Sequence, residues 1–147
     1  MRITLQRTLT LLATVAALLI PVTTVDAASF VAHLKAPTHR PKAGKTWKIK
    51  VTATTRSGKA VHASAYYQFL YGGQVVSTQY PSPHSRPGAC PGHRGCRKSP
   101  YPFRGSFTDP TIVWPKRAAG YKLTFRVVVK TKSRGTKKLD YWVRVRR

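Results

Sequence analysis

The sequence predicts an all-β antiparallel sandwich of about seven strands, and three observations lead there. Runs that alternate between apolar and polar residues recur at short spacing, the period of a strand with one buried and one wet face. Turn signals rich in Gly and Pro separate those runs. Beyond residue 27, the 3.6-residue periodicity of an amphipathic helix is nearly absent.

The chain begins with a segment of another kind. Arg2 and Arg7 precede an apolar run from Leu9 to Ile20, followed by Pro21 and then small residues ending in Val25-Asp26-Ala27. This is the layout of a secretory signal peptide, residues 1–27, with cleavage expected before Ala28. A spanning helix needs about 20 apolar residues, and Pro21, Thr23, Thr24 and Asp26 interrupt the run too early. The two arginines are not adjacent, which points to general rather than twin-arginine export. No cysteine follows the run to take a lipid anchor. The expected mature domain is then residues 28–147, of 147 − 27 = 120 residues, enough to bury a core. Its expected location is secreted or cell-envelope associated, with no transmembrane segment in the mature chain.

The strands can be taken in order. Ser29 to Lys35 forms the first, closed by Ala36-Pro37. After the turn Pro41-Lys42-Ala43-Gly44, residues Trp47, Ile49, Val51 and Ala53 alternate with Lys48, Lys50, Thr52 and Thr54. Arg56-Ser57-Gly58-Lys59 turns into a third strand through Val61, Ala63, Ala65, Tyr67 and Phe69. Gly72-Gly73 marks a tight hairpin, with Gln74 to Tyr80 returning. A basic insertion rich in Pro and Gly at about 81–103 breaks the pattern, and short strand pieces follow around Gly105 to Phe107 and Thr111 to Trp114. The last hairpin alternates Leu123, Phe125, Val127 and Val129 with Thr124, Arg126, Val128 and Lys130. It turns at Ser133-Arg134-Gly135 and returns with Leu139, Tyr141, Val143 and Val145 inward.

Tyr121, two residues before the inward positions of that hairpin, suits a tyrosine corner at the crossing between sheets. The series Pro41-Lys-Ala-Gly44, Trp47-Lys-Ile-Lys-Val51, Gly58-Lys59, Tyr121 to Val129 and Tyr141-Trp-Val-Arg-Val145 resembles bacterial secreted or cell-surface immunoglobulin-like (fibronectin-III-like) domains. The resemblance implies a binding, spacer or display role. The Cys…Trp…Cys core of antibody domains is missing, because both cysteines lie in one loop.

Charge narrows the partners. The chain holds 27 Lys plus Arg against 3 acidic residues, a formal +24. No glutamate occurs, and beyond residue 27 only Asp109 and Asp140 are acidic. Such a field attracts polyanions: acidic glycans, teichoic-acid-like polymers, or nucleic acid without sequence preference. An extracytoplasmic protein partner is the other expectation.

Two cysteines, Cys90 and Cys96, frame Pro91, Gly92 and Gly95; in an exported chain they are expected to pair as a disulfide. His84, Cys90, His93 and Cys96 have the ligand types of a zinc site but not an established spacing, and Arg86, Arg94, Arg97 and Lys98 oppose a dication. No metal or cofactor is expected. Catalysis has little to work with: general acid–base chemistry wants paired carboxylates or a carboxylate-held His, and neither a Gly-x-Ser-x-Gly elbow nor a phosphate loop is present. Asp109 before Pro110 reads as a turn residue, Asp140 as a surface ion-pair partner, and the remaining histidines, His33, His39 and His62, as surface residues.

The candidate polyanion-binding residues are Lys48 and Lys50 on one strand, Arg126 and Lys130 on another, and Trp142, Arg144 and Arg146 on the last, with Arg94, Arg97 and Lys98 in the insertion. If those strand faces adjoin, they form one cationic stripe, with Trp142 as an exposed stacking platform. The expected function is a noncatalytic binding or structural module of the envelope; the alternative is a secreted cationic effector acting on membranes or nucleic acid.

Overall fold

The computed structural model describes residues 29–147, so the expected export segment 1–27 lies outside the described residues. Eight strands form: β1 (Phe30–Lys35), β2 (Ile49–Thr55), β3 (His62–Tyr71), β4 (Gln74–Gln79), β5 (Tyr101–Arg104), β6 (Ser106–Asp109), β7 (Lys122–Lys130) and β8 (Thr136–Arg144). They divide into a three-stranded sheet, β1-β2-β6, and a five-stranded sheet, β4-β3-β7-β8, with β5 beside β4 along the same edge of β3. All pairings are antiparallel.

The two sheets form a β-sandwich because alternation gives each strand one apolar side. Ile49, Val51 and Ala53 of β2 face Ala65 and Tyr67 of β3, Phe125, Val127 and Val129 of β7, and Val143 of β8, all buried in one core. Each fully buried side chain of this size contributes about 1.5–3 kcal/mol. At one end Trp47 packs edge-on against Trp114 (5.5 Å between ring centres) and Phe125 (5.2 Å). Its indole N–H donates to the Thr38 carbonyl at 3.0 Å, so the ring is buried without losing a hydrogen bond.

The hairpin at Gly72-Gly73 forms as expected, with both glycines at positive φ (56° and 80°), the backbone a type I′ turn requires. Other expectations need correcting. Trp47 lies just before β2, where its N–H bonds the Ile112 carbonyl at 2.8 Å. Thr111 to Trp114 is not a strand; it follows the Thr46 segment through a bridge at Val113. The irregular insertion ends at Pro100, because Tyr101–Arg104 pairs with β3 as β5. A one-turn 3-10 helix, Lys116–Ala118, is too short to carry helical periodicity.

Tyr121 does not make a tyrosine corner. It is 51% exposed, and its ring meets Tyr71 edge-on at 5.6 Å. The backbone around it is already paired with β8's continuation, Gly120 N–H to the Val145 carbonyl and Val145 N–H to the Tyr121 carbonyl. That holds the side chain at the exposed end of the core, against Tyr71.

Candidate functional site

Alternation and register together decide which cations share a surface. On the outer side of the five-stranded sheet, β7 and β8 pair Lys122 with Arg144, Thr124 with Trp142, Arg126 with Asp140, Val128 with Lys138, and Lys130 with Thr136. Arg126, Lys130, Trp142 and Arg144 therefore share one face, as the alternation implies, and Lys122 and Lys138, which the sequence reading left aside, belong there too. Val128 points to this wet side yet is buried, flanked in register by Tyr66 and Lys138; an aromatic ring and a lysine stem can shield a small apolar neighbour in this way.

Lys48 and Lys50 do not join that face. β2 belongs to the three-stranded sheet, where Lys50 stands opposite Lys35 of β1. The two basic faces lie on opposite sides of the sandwich, so the cations form two patches instead of one stripe. The reason is topological: consecutive strands β2 and β3 cross from one sheet to the other.

Several of the candidates are engaged. Arg126 grips Asp140 with two bonds, Nε to Oδ1 at 2.6 Å and Nη2 to Oδ2 at 2.8 Å. The guanidinium hydrogen bond holds the Asp140 carboxyl below its ordinary range and raises Arg126 in return. The Lys130 ammonium sits 5.4 Å from the Tyr66 ring centre. The Arg146 guanidinium donates to the Arg40 carbonyl at 3.0 Å. It lies past the end of β8, bridged to Lys42.

Trp142 is a partly occupied platform. His39 stacks against its ring at 4.3 Å and 14°, and also against Tyr141 at 4.0 Å. His39 Nδ1 donates to the Trp142 carbonyl at 2.6 Å, which fixes the imidazole there. Lys122 Nζ lies 5.8 Å from the indole centre. The indole remains 46% exposed.

In the insertion, Cys90 and Cys96 are joined as the expected disulfide, with their Cα atoms 5.6 Å apart. Both sulfurs are used, so the thiolates that a zinc site with His84 and His93 would need do not exist in this state. His93 Nδ1 instead accepts the Gly95 N–H at 3.1 Å. Arg97 is tied down on the surface: its backbone N–H donates to Ser82 Oγ at 3.0 Å, its guanidinium to the Pro100 carbonyl at 3.3 Å, and it lies over the Tyr101 ring at 5.5 Å. Arg94 and Lys98 stay exposed. The loop is tied to the sandwich where Gly88 N–H meets the Thr111 carbonyl at 2.9 Å. Gly88 has φ 73°, and a Cβ there would press Val113 at 3.3 Å, so only glycine suits the crossing.

Asp109 is the buried acid. Its Oδ2 accepts the Tyr67 hydroxyl at 2.8 Å, and its Oδ1 accepts the Thr111 N–H (2.8 Å) and hydroxyl (2.6 Å). The Thr111 N–H bond is the turn contact expected of an Asp before Pro; the link to Tyr67, which ties β6 to β3 across the core, was not visible in the sequence. Burial, reinforced by the neighbouring Asp109 charge, pushes the Tyr67 hydroxyl well above the ordinary tyrosine range, so it remains a proton donor.

No family model, curated protein or solved structure matches the chain.

Proposed function

We propose that the domain is a noncatalytic extracytoplasmic binding module that contacts anionic envelope polymer through its basic surfaces. The observation that carries this reading is the pairing of like charges. Lys35 stands directly across from Lys50 on one sheet, and Lys122 from Arg144 on the other. Like charges in such register destabilise a sheet, and among the described residues no acid side chain is available to relieve them: Asp109 is turned into the core and Asp140 is held by Arg126. A phosphate- or carboxylate-bearing polymer laid on either face would supply the missing counter-charge and release its own counterions.

The Cys90–Cys96 disulfide supports an oxidising compartment, in keeping with the export segment expected at residues 1–27. Among the described residues, no helix is long and apolar enough to cross a membrane. Among the described residues both acids, Asp109 and Asp140, are committed to structural bonds, which argues against general acid–base catalysis. The resemblance to immunoglobulin-like surface domains belongs to the same reading, and the division of strands supports it: the first, second and sixth oppose the third, seventh and eighth, much as in immunoglobulin-like sandwiches.

The test is binding of residues 28–147 to a poly(glycerol phosphate) chain and to DNA across a salt series. Affinity for the envelope-type polymer should fall as salt rises, and replacing Lys122 and Arg144 with Ala should flatten that dependence by roughly two phosphate contacts. Absence of binding at low salt, or strong leakage of anionic vesicles at the same protein concentration, would overturn it, the latter in favour of a cationic effector.

A further inference from the structure

From Lys35 onward Lys and Arg recur along the chain with one long gap: none occurs between Lys59 and Arg86. That gap is the β3–β4 hairpin and its approach. Within it β4, with the sequence Gln-Val-Val-Ser-Thr-Gln, is an edge strand that pairs with β3 alone. Proteins protect such edges with charge, proline or a covering segment. The β8 edge is covered at its end, where residues 39–43 bond the backbone of residues 144–146, and carries Lys137, Lys138 and Asp140 before that; the β1 edge carries His33 and Lys35. β4 has no charge and no proline; a register shift leaves Val76 bulged out of the pairing with β3, short of the regular stretch Ser77–Gln79, and Val75 and Val76 stand 46% and 60% exposed.

Exposed apolar surface gathers at the same place. Among the described residues five large apolar or aromatic side chains are strongly exposed, and four of them, Tyr71, Val75, Val76 and Tyr121, belong to this end of the molecule. Tyr71, Val76 and Tyr121 border a cleft of about 650 Å³ between β4, the disulfide loop and the segment from Thr111 to Tyr121. Phe69 and Trp114 line it, and the buried Trp114 Nε1 has no acceptor. Ser77 and Gln79 of β4 also line it, so a chain laid along β4 would send alternate side chains into the cleft. Arg117 is the one cation on its rim, and it is exposed.

We propose that the free edge of β4 accepts an added strand from an acidic partner protein, an extended segment whose alternate apolar side chains enter the adjoining cleft. Main-chain bonds to an edge strand supply affinity, and pockets for every second side chain supply selectivity. Charge selects the partner's sign. A second copy of this chain would bring the same strongly positive field and be repelled, whereas an acidic protein is steered in. The site is separate from the basic faces, so its failure and theirs are distinguishable.

The probe is a seven-residue peptide alternating glutamate with valine and phenylalanine, added to the isotope-labelled domain at about 0.5 M salt, where surface charge is screened. Two companion peptides carry N-methyl groups on alternate amides, one in each phase. Saturable shifts are expected at Gln74–Gln79 and in the cleft, with one N-methyl phase binding about tenfold more weakly and the other little changed, because only alternate amides face the edge. Val76→Lys, at an exposed position, should weaken the peptide about tenfold and leave polymer binding unchanged. The proposal is overturned by the absence of shifts at millimolar peptide, by equal binding of both N-methyl phases, or by indifference to Val76→Lys. Shifts at β4 that depend on protein concentration without peptide would also overturn it, assigning the edge to a second copy.

Discussion

The β7–β8 hairpin and the β3–β4 hairpin use the same alternation and lie in one sheet, yet they face the solvent in opposite ways. From Lys122 to Arg144 the chain carries eight Lys and Arg; across β3 and β4 it carries none. In β7–β8 the wet side is cationic, with like charges opposed in register and a single acid, Asp140, claimed by Arg126. In β3–β4 no exposed side chain is a Lys, Arg or acid, and the large exposed ones, Tyr71, Val75 and Val76, stand at or beside an aromatic-lined cleft. A composition that places a cation at nearly one residue in five therefore does not explain the surface by itself, because composition alone would not spare one hairpin. The contrast separates two modes of recognition, a charged face for polyanions and an apolar edge for a strand.

The bond that anchors β3 to the opposite sheet offers the largest effect. Tyr67 of β3 donates to Asp109, which also satisfies Thr111. Asp109→Ala leaves those buried donors unpaired and should cost about 3 kcal/mol, by the usual penalty for stranded buried groups, read as a lowered Tm. Tyr67→Phe removes only one partner and should cost less. If Asp109→Ala unfolds no more easily than the parent, the Asp109 cluster is not what fastens β3 to the opposite sheet.

The disulfide loop bounds the cleft from the other side. Replacing both Cys90 and Cys96 with Ser should lower stability by about 2 kcal/mol in the chain-entropy account of so short a ring. It should raise amide exchange in residues 86–98 while leaving β7–β8 protected. Equal loss of protection in both hairpins would mean the loop supports the whole sandwich.

The smallest effect belongs to the Arg126–Asp140 pair. Asp140 is held below its ordinary range by Arg126, so the stability it contributes is present above about pH 4 and is lost as pH falls through the depressed folded value. The pair is solvent-exposed, with Asp140 48% accessible, and screening limits it to less than about 1 kcal/mol. Asp140→Asn should therefore flatten the acid limb of the Tm–pH curve slightly and change little at neutral pH. It should also free Arg126, and polymer affinity should rise by a small factor.

How much of this was legible in the sequence follows from what each signal depends on. Strand alternation is local, so β2, β3, β7 and β8 and the outward placement of Arg126, Lys130, Trp142 and Arg144 could be read directly. The Cys90–Cys96 bond could be read because the spacing lets the loop close on itself. What could not be read depends on which strand joins which sheet. Lys50 sits across the sandwich from Arg144 because β2 and β3 belong to different sheets, a long-range outcome with no local mark. Tyr121 had the right spacing for a corner, but backbone pairing with Val145 carried it past the core. The stacking of His39 on Trp142 joins residues 103 apart in sequence. One signal was available and not used: the absence of Lys and Arg between residues 59 and 86 marks the uncharged edge without any coordinates.

The central claim is that charged and apolar recognition occupy separate regions, and the most direct test is a residue-resolved amide titration of one labelled sample. Poly(glycerol phosphate) is added first, then the alternating acidic peptide at high salt. The account predicts that polymer shifts Lys35, Lys50 and the outer residues of β7 and β8, while peptide shifts Tyr71 to Ser82 and the segment from Thr111 to Tyr121. Overlapping shift maps for the two ligands would contradict it.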